Sequence, residues 1–239
     1  MKIKIAGDPG EARAWRGRGI VIDLFRFSNT VSALLKSGRT DVRVYSGPAH
    51  AASVKALEKI PDLFSEIAFP PETVKYDNSP YVALYASDAS KPALIVTNSG
   101  SPAVMSLAVS GEILIGCFAN MQFVGEYCRA RPMDTLIVPA CLYFDKRHVE
   151  DVICARAVAD AIAGVDSFEA ALAEIHASGR VLDFLKGRPE TGRKDMDVIL
   201  KNGTMDVVPR VMLLGVHGKV EDVRKCAVDS RRNTGYRGE

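Results

Sequence analysis

The chain has 239 residues, 47% of them hydrophobic and 25% charged, with a formal net charge of +2 at pH 7. That composition fits an ordinary globular chain of one large domain or two small ones, at about 100–200 residues each. The near-neutral balance excludes a strongly basic surface for nucleic acid or anionic membrane, and no apolar run approaches the roughly 20 residues that span a bilayer.

The first residues, Met1 to Gly7, lack the apolar core of a signal peptide, so the expected location is the cytoplasm. Lys2 to Ala6 alternates as a strand does, and Gly7-Asp8-Pro9-Gly10 turns the chain away from it. Ile20-Val21-Ile22 is a continuous β-branched run, the pattern of a strand covered on both faces of a parallel sheet. Asp23 ends that run. Ser28, Asn29 and Thr30 are N-cap types, which predicts a helix over Val31 to Lys36, stopped at Ser37-Gly38. Asp41 to Tyr45 reads as a strand, Ala49 to Lys59 as a helix and Glu66 to Ala83 as loop, with Tyr76-Asp77-Asn78-Ser79-Pro80-Tyr81 forming a rigid polar turn.

Ala93 to Thr97 is the next strand, and it runs into Asn98-Ser99-Gly100-Ser101-Pro102 and a helix from Ala103 to Val109. Glu112 to Gly116 is a strand leading through Phe118-Ala119-Asn120 to a helix that reaches Cys128, and Thr135 to Val138 is a further strand. Three apolar strands thus end in polar residues with a helix after each, the alternation of an α/β protein with a mostly parallel sheet whose ligands gather at the carboxyl ends of the strands. Val149 to Ala163 reads as a buried helix and Asp166 to His176 as another, capped by Ser167. Gly187 to Asp197 reads as a polar, mobile stretch. The short apolar runs between Met196 and Leu214 leave helix and strand open, and Asp229 onward is an expected disordered tail. The whole is taken as one compact unit over residues 1–228.

The five cysteines, Cys117, Cys128, Cys141, Cys154 and Cys226, lack the C-x-x-C spacing of a zinc site, and four lie in apolar surroundings as buried thiols. The four histidines form no spaced pair; His148 alone lies near the candidate site, as a general-acid candidate.

Chemistry is expected where Asp23 meets the helix that follows it. An acid at a strand end is costly to bury unpaired and calls for a metal, an arginine or a row of amides, while a helix amino terminus favours anions. The same residues admit a simpler arrangement in which Asp23 caps a loop or pairs with Arg26. Glu150-Asp151 opens a helix just after a strand; acids there complement the helix dipole, and they also have the placement to hold Mg2+.

Taken together and in order, Ile20 to Thr30, Asp77-Asn78-Ser79-Pro80, Val96 to Ser101, Phe118-Ala119-Asn120, His148 to Val152 and Asp206-Val207-Val208-Pro209 resemble the 2-phosphosulfolactate phosphatase family over about residues 19 to 210. The resemblance implies an α/β fold of two related, intertwined three-layer α/β/α halves with mostly parallel sheets. It also implies Mg2+-dependent hydrolysis of a small phosphorylated acid of the coenzyme M biosynthetic type. On this reading Asp23, Arg26 and Glu150 are catalytic, and Asp23, Glu150 and Asp151 hold Mg2+. Ser28, Thr30, Asn78, Ser79, Asn98, Ser99, Ser101 and Asn120 bind substrate. The implied partner is a small anionic phosphorylated substrate, with no nucleic acid or membrane and with a homodimer left open. The chain departs from the family at Arg26-Phe27-Ser28-Asn29-Thr30, in Phe64 to Tyr76, which lacks a glycine-rich loop, and at Ala140-Cys141-Leu142-Tyr143-Phe144. Bulky residues in place of glycines reshape a pocket, so a non-catalytic anion-binding protein on the same scaffold is the alternative expectation.

Overall fold

The computed structural model describes residues 1–58, 60–188 and 191–225. In chain order the elements are β1 (Ile3–Ile5), α1 (Pro9–Ala14), β2 (Arg18–Ile22), α2 (Phe27–Lys36), β3 (Val42–Tyr45), α3 (Pro48–Glu58), β4 (Asp62–Phe64), α4 (Pro80–Tyr85), β5 (Ala93–Ile95), α5 (Gly100–Ser106), β6 (Glu112–Gly116), α6 (Met121–Ala130) and β7 (Thr135–Pro139). They continue with α7 (Val149–Ala163), α8 (Phe168–Ala177), α9 (Arg180–Gly187), α10 (Gly192–Ile199), β8 (Pro209–Leu214) and β9 (His217–Asp222).

Among the described residues nine strands join one sheet, in the order β1-β7-β2-β6-β8-β9-β3-β5-β4. Pairing is parallel within β1-β7-β2-β6 and within β3-β5-β4, and antiparallel across β6-β8-β9-β3. This is the expected α/β class with a mostly parallel sheet. The chain lays down β1 and β2 in the first parallel block, builds β3 to β5 as the second, returns for β6 and β7, and bridges the two blocks with the β8–β9 hairpin. The blocks are therefore intertwined in sequence.

The five residues of β2 are all buried, as its uninterrupted apolar run requires. Successive side chains point to opposite faces. Gly19 faces Leu107 just after α5, while Ile20 and Ile22 lie toward Val158 of α7, so helices cover both sides of the sheet. A smaller cluster of Tyr45, Ala51, Leu63, Leu94 and Val96 packs under α3 in the second block.

Several elements differ from the sequence expectations. Pro9 starts α1 rather than completing a turn, because Asp8 accepts from the Gly10 and Glu11 amides as an N-cap. β4 and α4 lie in or beside the stretch read as loop; Ser79 caps α4 by accepting from the Val82 amide at 3.1 Å. The stretch read as mobile holds the first six residues of α10, a helix whose Met196, Val198 and Ile199 turn inward. The ambiguous runs resolve as the end of α10 and as β8, which pairs with β9 along its whole length. Ser167 sits at the start of α8, but the Phe168 amide is accepted by Asp166 at 3.1 Å. Lys59, Cys226 and the expected tail from Asp229 lie outside the described residues. Among the described residues no helix is long and apolar enough to cross a membrane.

One close approach draws the two blocks together at their strand ends. Gly100, the first residue of α5, lies against the ring of Phe27, the first residue of α2, and a Cβ at this position would overlap that ring. Gly100→Ala is expected to destabilise the protein by about 1–3 kcal/mol through overpacking, measured by denaturant unfolding. Unchanged stability would show that this contact can relax freely.

Candidate active site

The segments that follow β2 and β5 meet, and Ser99 Oγ donates to Asp23 Oδ2 at 2.7 Å. A cleft of about 250 Å³ opens there, lined by Asp23, Phe25, Arg26, Glu66, Asn78, Asn98, Ser99, Phe144, His148, Glu150, Asp151 and Arg188.

Asp23 is buried, and its second oxygen accepts from the Phe27 amide at 3.2 Å, so the acid itself caps α2. Helix α2 starts earlier than the cap-type residues predict because those residues fold back onto the strand-end loop. Ser28 Oγ accepts from the Asp23 amide at 3.0 Å, and Asn29 Nδ2 donates to the Leu24 carbonyl at 2.9 Å. Burial raises the Asp23 carboxyl from 3.8 to about 6; the Ser99 bond opposes that rise, and the charges of Glu66 and Glu150 add to it. Asp151 is likewise pushed well above the usual carboxylate range, first by burial and then by the charges of Asp23 and Glu150. Its two oxygens accept from the Leu24 and Cys141 amides, each at 2.8 Å, which ties the start of α7 to both strand-end loops.

Glu150 is buried beside it and forms a bidentate pair with Arg180 of α9, at 2.7 and 2.9 Å. Arg26 does not pair with Asp23. Its guanidinium is buried, donating from Nη1 to Asp195 at 2.6 Å and from Nη2 to Asp77 at 2.7 Å, with the Phe184 ring 5.4 Å away. Asp195, fully buried on α10, also accepts from Ser79 Oγ at 2.5 Å. The Asn98 backbone amide donates to Glu66 Oε1 at 2.7 Å, while Glu66 Oε2 and Asn78 Oδ1 are buried with no hydrogen-bond partner among the described residues. Phe144 packs on His148, ring centres 5.9 Å apart.

Of the residues singled out from sequence, Asp23, Arg26, Asn78, Asn98, Ser99, Glu150 and Asp151 are brought together at the cleft wall. Ser28, Thr30, Ser79, Ser101 and Asn120 are not among the lining residues. Ser79 holds Asp195, the Ser101 hydroxyl accepts from the Thr97 amide at 3.0 Å, and Thr30 is buried. The Asn120 carboxamide accepts from the Cys117 amide at 2.9 Å and donates to Ser32 and to Ile115 O, each at 3.2 Å. The amides of Ser28, Thr30 and Ser101 also have acceptors inside the chain, at Asp23 O, Arg26 O and Thr97 Oγ1. Side chains rather than free amides therefore present most of the polar groups of the cleft.

Glu66, Arg180, Arg188 and Asp195 were not picked out from the sequence, and Asp77 stood there only as part of its polar turn. The usable signal was the need of each buried charge for a counter-charge, although nothing local indicates which distant residue meets it. The free thiols Cys117, Cys128, Cys141 and Cys154 are buried. Burial pushes Cys141 up to about 12, with Asp151, Glu150 and Asp23 adding to it, so Cys141 stays a thiol at neutral pH. Among the described residues, no three His, Cys, Asp or Glu side chains are gathered as a ready metal cluster.

Fold and site together define an α/β protein with an acid- and arginine-lined cleft at converging strand ends. Residues 9–212 match the family model described as 2-phosphosulpholactate phosphatase, and the chain belongs to that family. It is 26% identical over 220 residues to a probable 2-phosphosulfolactate phosphatase of Thermoplasma volcanium, a match covering 91% of this chain and 98% of the relative. Proteins of the same name from Symbiobacterium thermophilum and Gloeobacter violaceus are 28% and 23% identical, over 66% and 64% of this chain. Those two matches span 68% and 66% of the relatives' own lengths.

Proposed function

We propose that the protein is a Mg2+-dependent phosphatase that hydrolyses 2-phosphosulfolactate or a closely related small phosphorylated acid. The observation that carries the reading is Asp23, a buried carboxyl raised to about 6 at the meeting point of the β2 and β5 ends and α7, in the cleft that Arg26 and Asn98 also line. A carboxyl titrating near the working pH is suited to proton transfer.

Mg2+ fits the donors present. They are hard carboxylate oxygens, one of them Glu66 Oε2, which has no hydrogen-bond partner among the described residues, and their mutual repulsion is what a cation relieves. Glu66 and Asp151, flanking Asp23, would hold the ion, with Glu150 kept in place by Arg180. When bound, the ion supplies neutralisation of charge on the phosphoryl group. Arg26 has two of its five N–H groups engaged with Asp77 and Asp195, which fix its plane, and the remaining ones bind phosphoryl oxygens. Asn78, Asn98 and Ser99 position the ester. Asp23 accepts the proton of the attacking water, and His148 gives a proton to the leaving alkoxide.

The test is phosphate release from a panel of small phosphate esters that includes 2-phosphosulfolactate, with and without Mg2+. Hydrolysis that requires Mg2+ is the expected result. A protein that hydrolyses none of the panel, yet is stabilised by these esters, is an anion-binding protein instead.

A further inference from the structure

Two arginines line the cleft, and they are occupied very differently. Arg26 is buried, and two carboxylates at 2.6 and 2.7 Å compensate its charge. Arg188, at the end of α9, is half-buried. Among the described residues its ion-pair partner is Asp77, with Nε 3.8 Å from Oδ2, beyond hydrogen-bonding reach, and that oxygen also accepts from Arg26. Among the described residues its guanidinium has no hydrogen-bond partner, while the Phe184 ring 6.0 Å away supports it. A planar fork of donors, braced on an aromatic ring and open to the cleft, is the arrangement that recognises an oxyanion by two parallel bonds.

The rest of the wall sharpens the assignment. Asp23, Glu66 and Asp151 line the same space, while Glu150 is taken up by Arg180, so a further negative group on a substrate needs a cationic partner away from these acids. A phosphorylated small acid carries such a group besides its phosphate. A cleft of about 250 Å³ lies below the roughly 300–1,000 Å³ of drug-sized pockets, so the molecule must be small and both of its anionic ends lie near the walls. Arg26 faces the phosphoryl group next to Asp23, and Arg188, which lies beside Arg26 at the same Asp77 oxygen and Phe184 ring, faces the neighbouring anionic group.

We propose that Arg188 is the specificity residue of this site and pairs with the second, non-transferred anionic group of the substrate, a carboxylate or a sulfonate. The proposal rests on the phosphatase reading above. Phe184 ties the two ends together, because it packs against Phe25 with ring centres 5.3 Å apart and lies beside both arginines. Helix α9 thus holds the substrate-reading arginine in register with the loop that carries Arg26.

The experiment compares kcat and KM of wild type, Arg188→Ala and Arg188→Lys on three esters: 2-phosphosulfolactate, with carboxylate and sulfonate; 2-phosphoglycerate, with carboxylate alone; and glycerol 2-phosphate, with neither. Arg188→Ala is expected to raise KM for 2-phosphosulfolactate by about 10–100-fold, the range for losing a charged hydrogen-bonded partner. Its effect on glycerol 2-phosphate should be at least about tenfold smaller. Arg188→Lys keeps the charge without the fork and should recover part of the loss. A matching loss on 2-phosphoglycerate assigns the carboxylate to Arg188, and a loss confined to 2-phosphosulfolactate assigns the sulfonate. Equal losses on all three esters, or none, overturn the proposal and leave the phosphatase reading in place. Calorimetric binding of sulfolactate separates the two claims. If wild type hydrolyses nothing but binds sulfolactate through Arg188, the phosphatase reading fails and the anion assignment stands; if neither is seen, both fail.

Discussion

Asp23→Asn is expected to lower phosphate-ester hydrolysis by about 10²–10⁴-fold, the range for removing a positioned acid–base group, while making the metal-free protein more stable at alkaline pH. The two effects share one cause. Asp23 is buried among other acids and its carboxyl is raised from 3.8 to about 6. The native state therefore binds the proton more tightly than the unfolded chain, and stability falls as pH rises from about 4 to about 6 and then levels off. At about 1.36 kcal/mol per pKa unit, the ionised acid costs up to about 3 kcal/mol above that range. Asn is neutral at every pH, but its amide group faces one of the two donors that Asp23 accepts, so the expected gain is about 1–3 kcal/mol. The advantage should shrink toward about pH 4, where wild-type Asp23 is protonated. Thermal melts of both proteins in chelator across this range check the sign. An Asn variant less stable than wild type at alkaline pH would mean that the hydrogen bonds of Asp23 outweigh its burial cost.

Asp195→Ala is expected to destabilise the protein by about 3–5 kcal/mol, the cost of removing one partner of a buried ion pair, or a fall of about 10 °C in melting temperature for a chain of this size. Asp195 is fully buried, binds Arg26 at 2.6 Å and Ser79 at 2.5 Å, and its removal leaves the Arg26 guanidinium held by Asp77 alone. Activity should fall as well, since Arg26 loses the group that fixes its plane. Asp195→Asn, which can still accept from Ser79, should fall between Ala and wild type. A melting temperature within about 2 °C of wild type for the Ala variant would show that Asp77 suffices to hold Arg26.

The parts of the site legible in sequence were those with local signatures. The β-branched run closed by Asp23, the strand–turn–helix at Ala93 to Pro102 and the acids opening α7 each announce a strand end or a helix start within a few residues, and all reach the same cleft. The partners of those groups were not legible. Asp195 is 169 residues from Arg26, and Arg180 is 30 from Glu150; both pairings exist because α9 and α10 fold back across the strand ends. Helix α10 was hidden by its charge density, with only Met196, Val198 and Ile199 marking a buried face. Glu66 lies just past β4 in a segment ordered by long-range bonds, such as that from the Ser65 amide to Tyr76 O at 3.0 Å. Asn120 shows the converse. A polar residue beyond a strand end carries the right local signature, yet its carboxamide is consumed in holding Cys117, Ser32 and Ile115.

Inorganic phosphate released from 2-phosphosulfolactate, followed in parallel for wild type and Asp23→Asn with and without Mg2+, tests whether this cleft hydrolyses a phosphate ester with Asp23 as its working centre. Mg2+-dependent release by wild type that falls by about 10²–10⁴-fold in the folded variant is the expected result. Equal release by both proteins, or none by wild type, would contradict it.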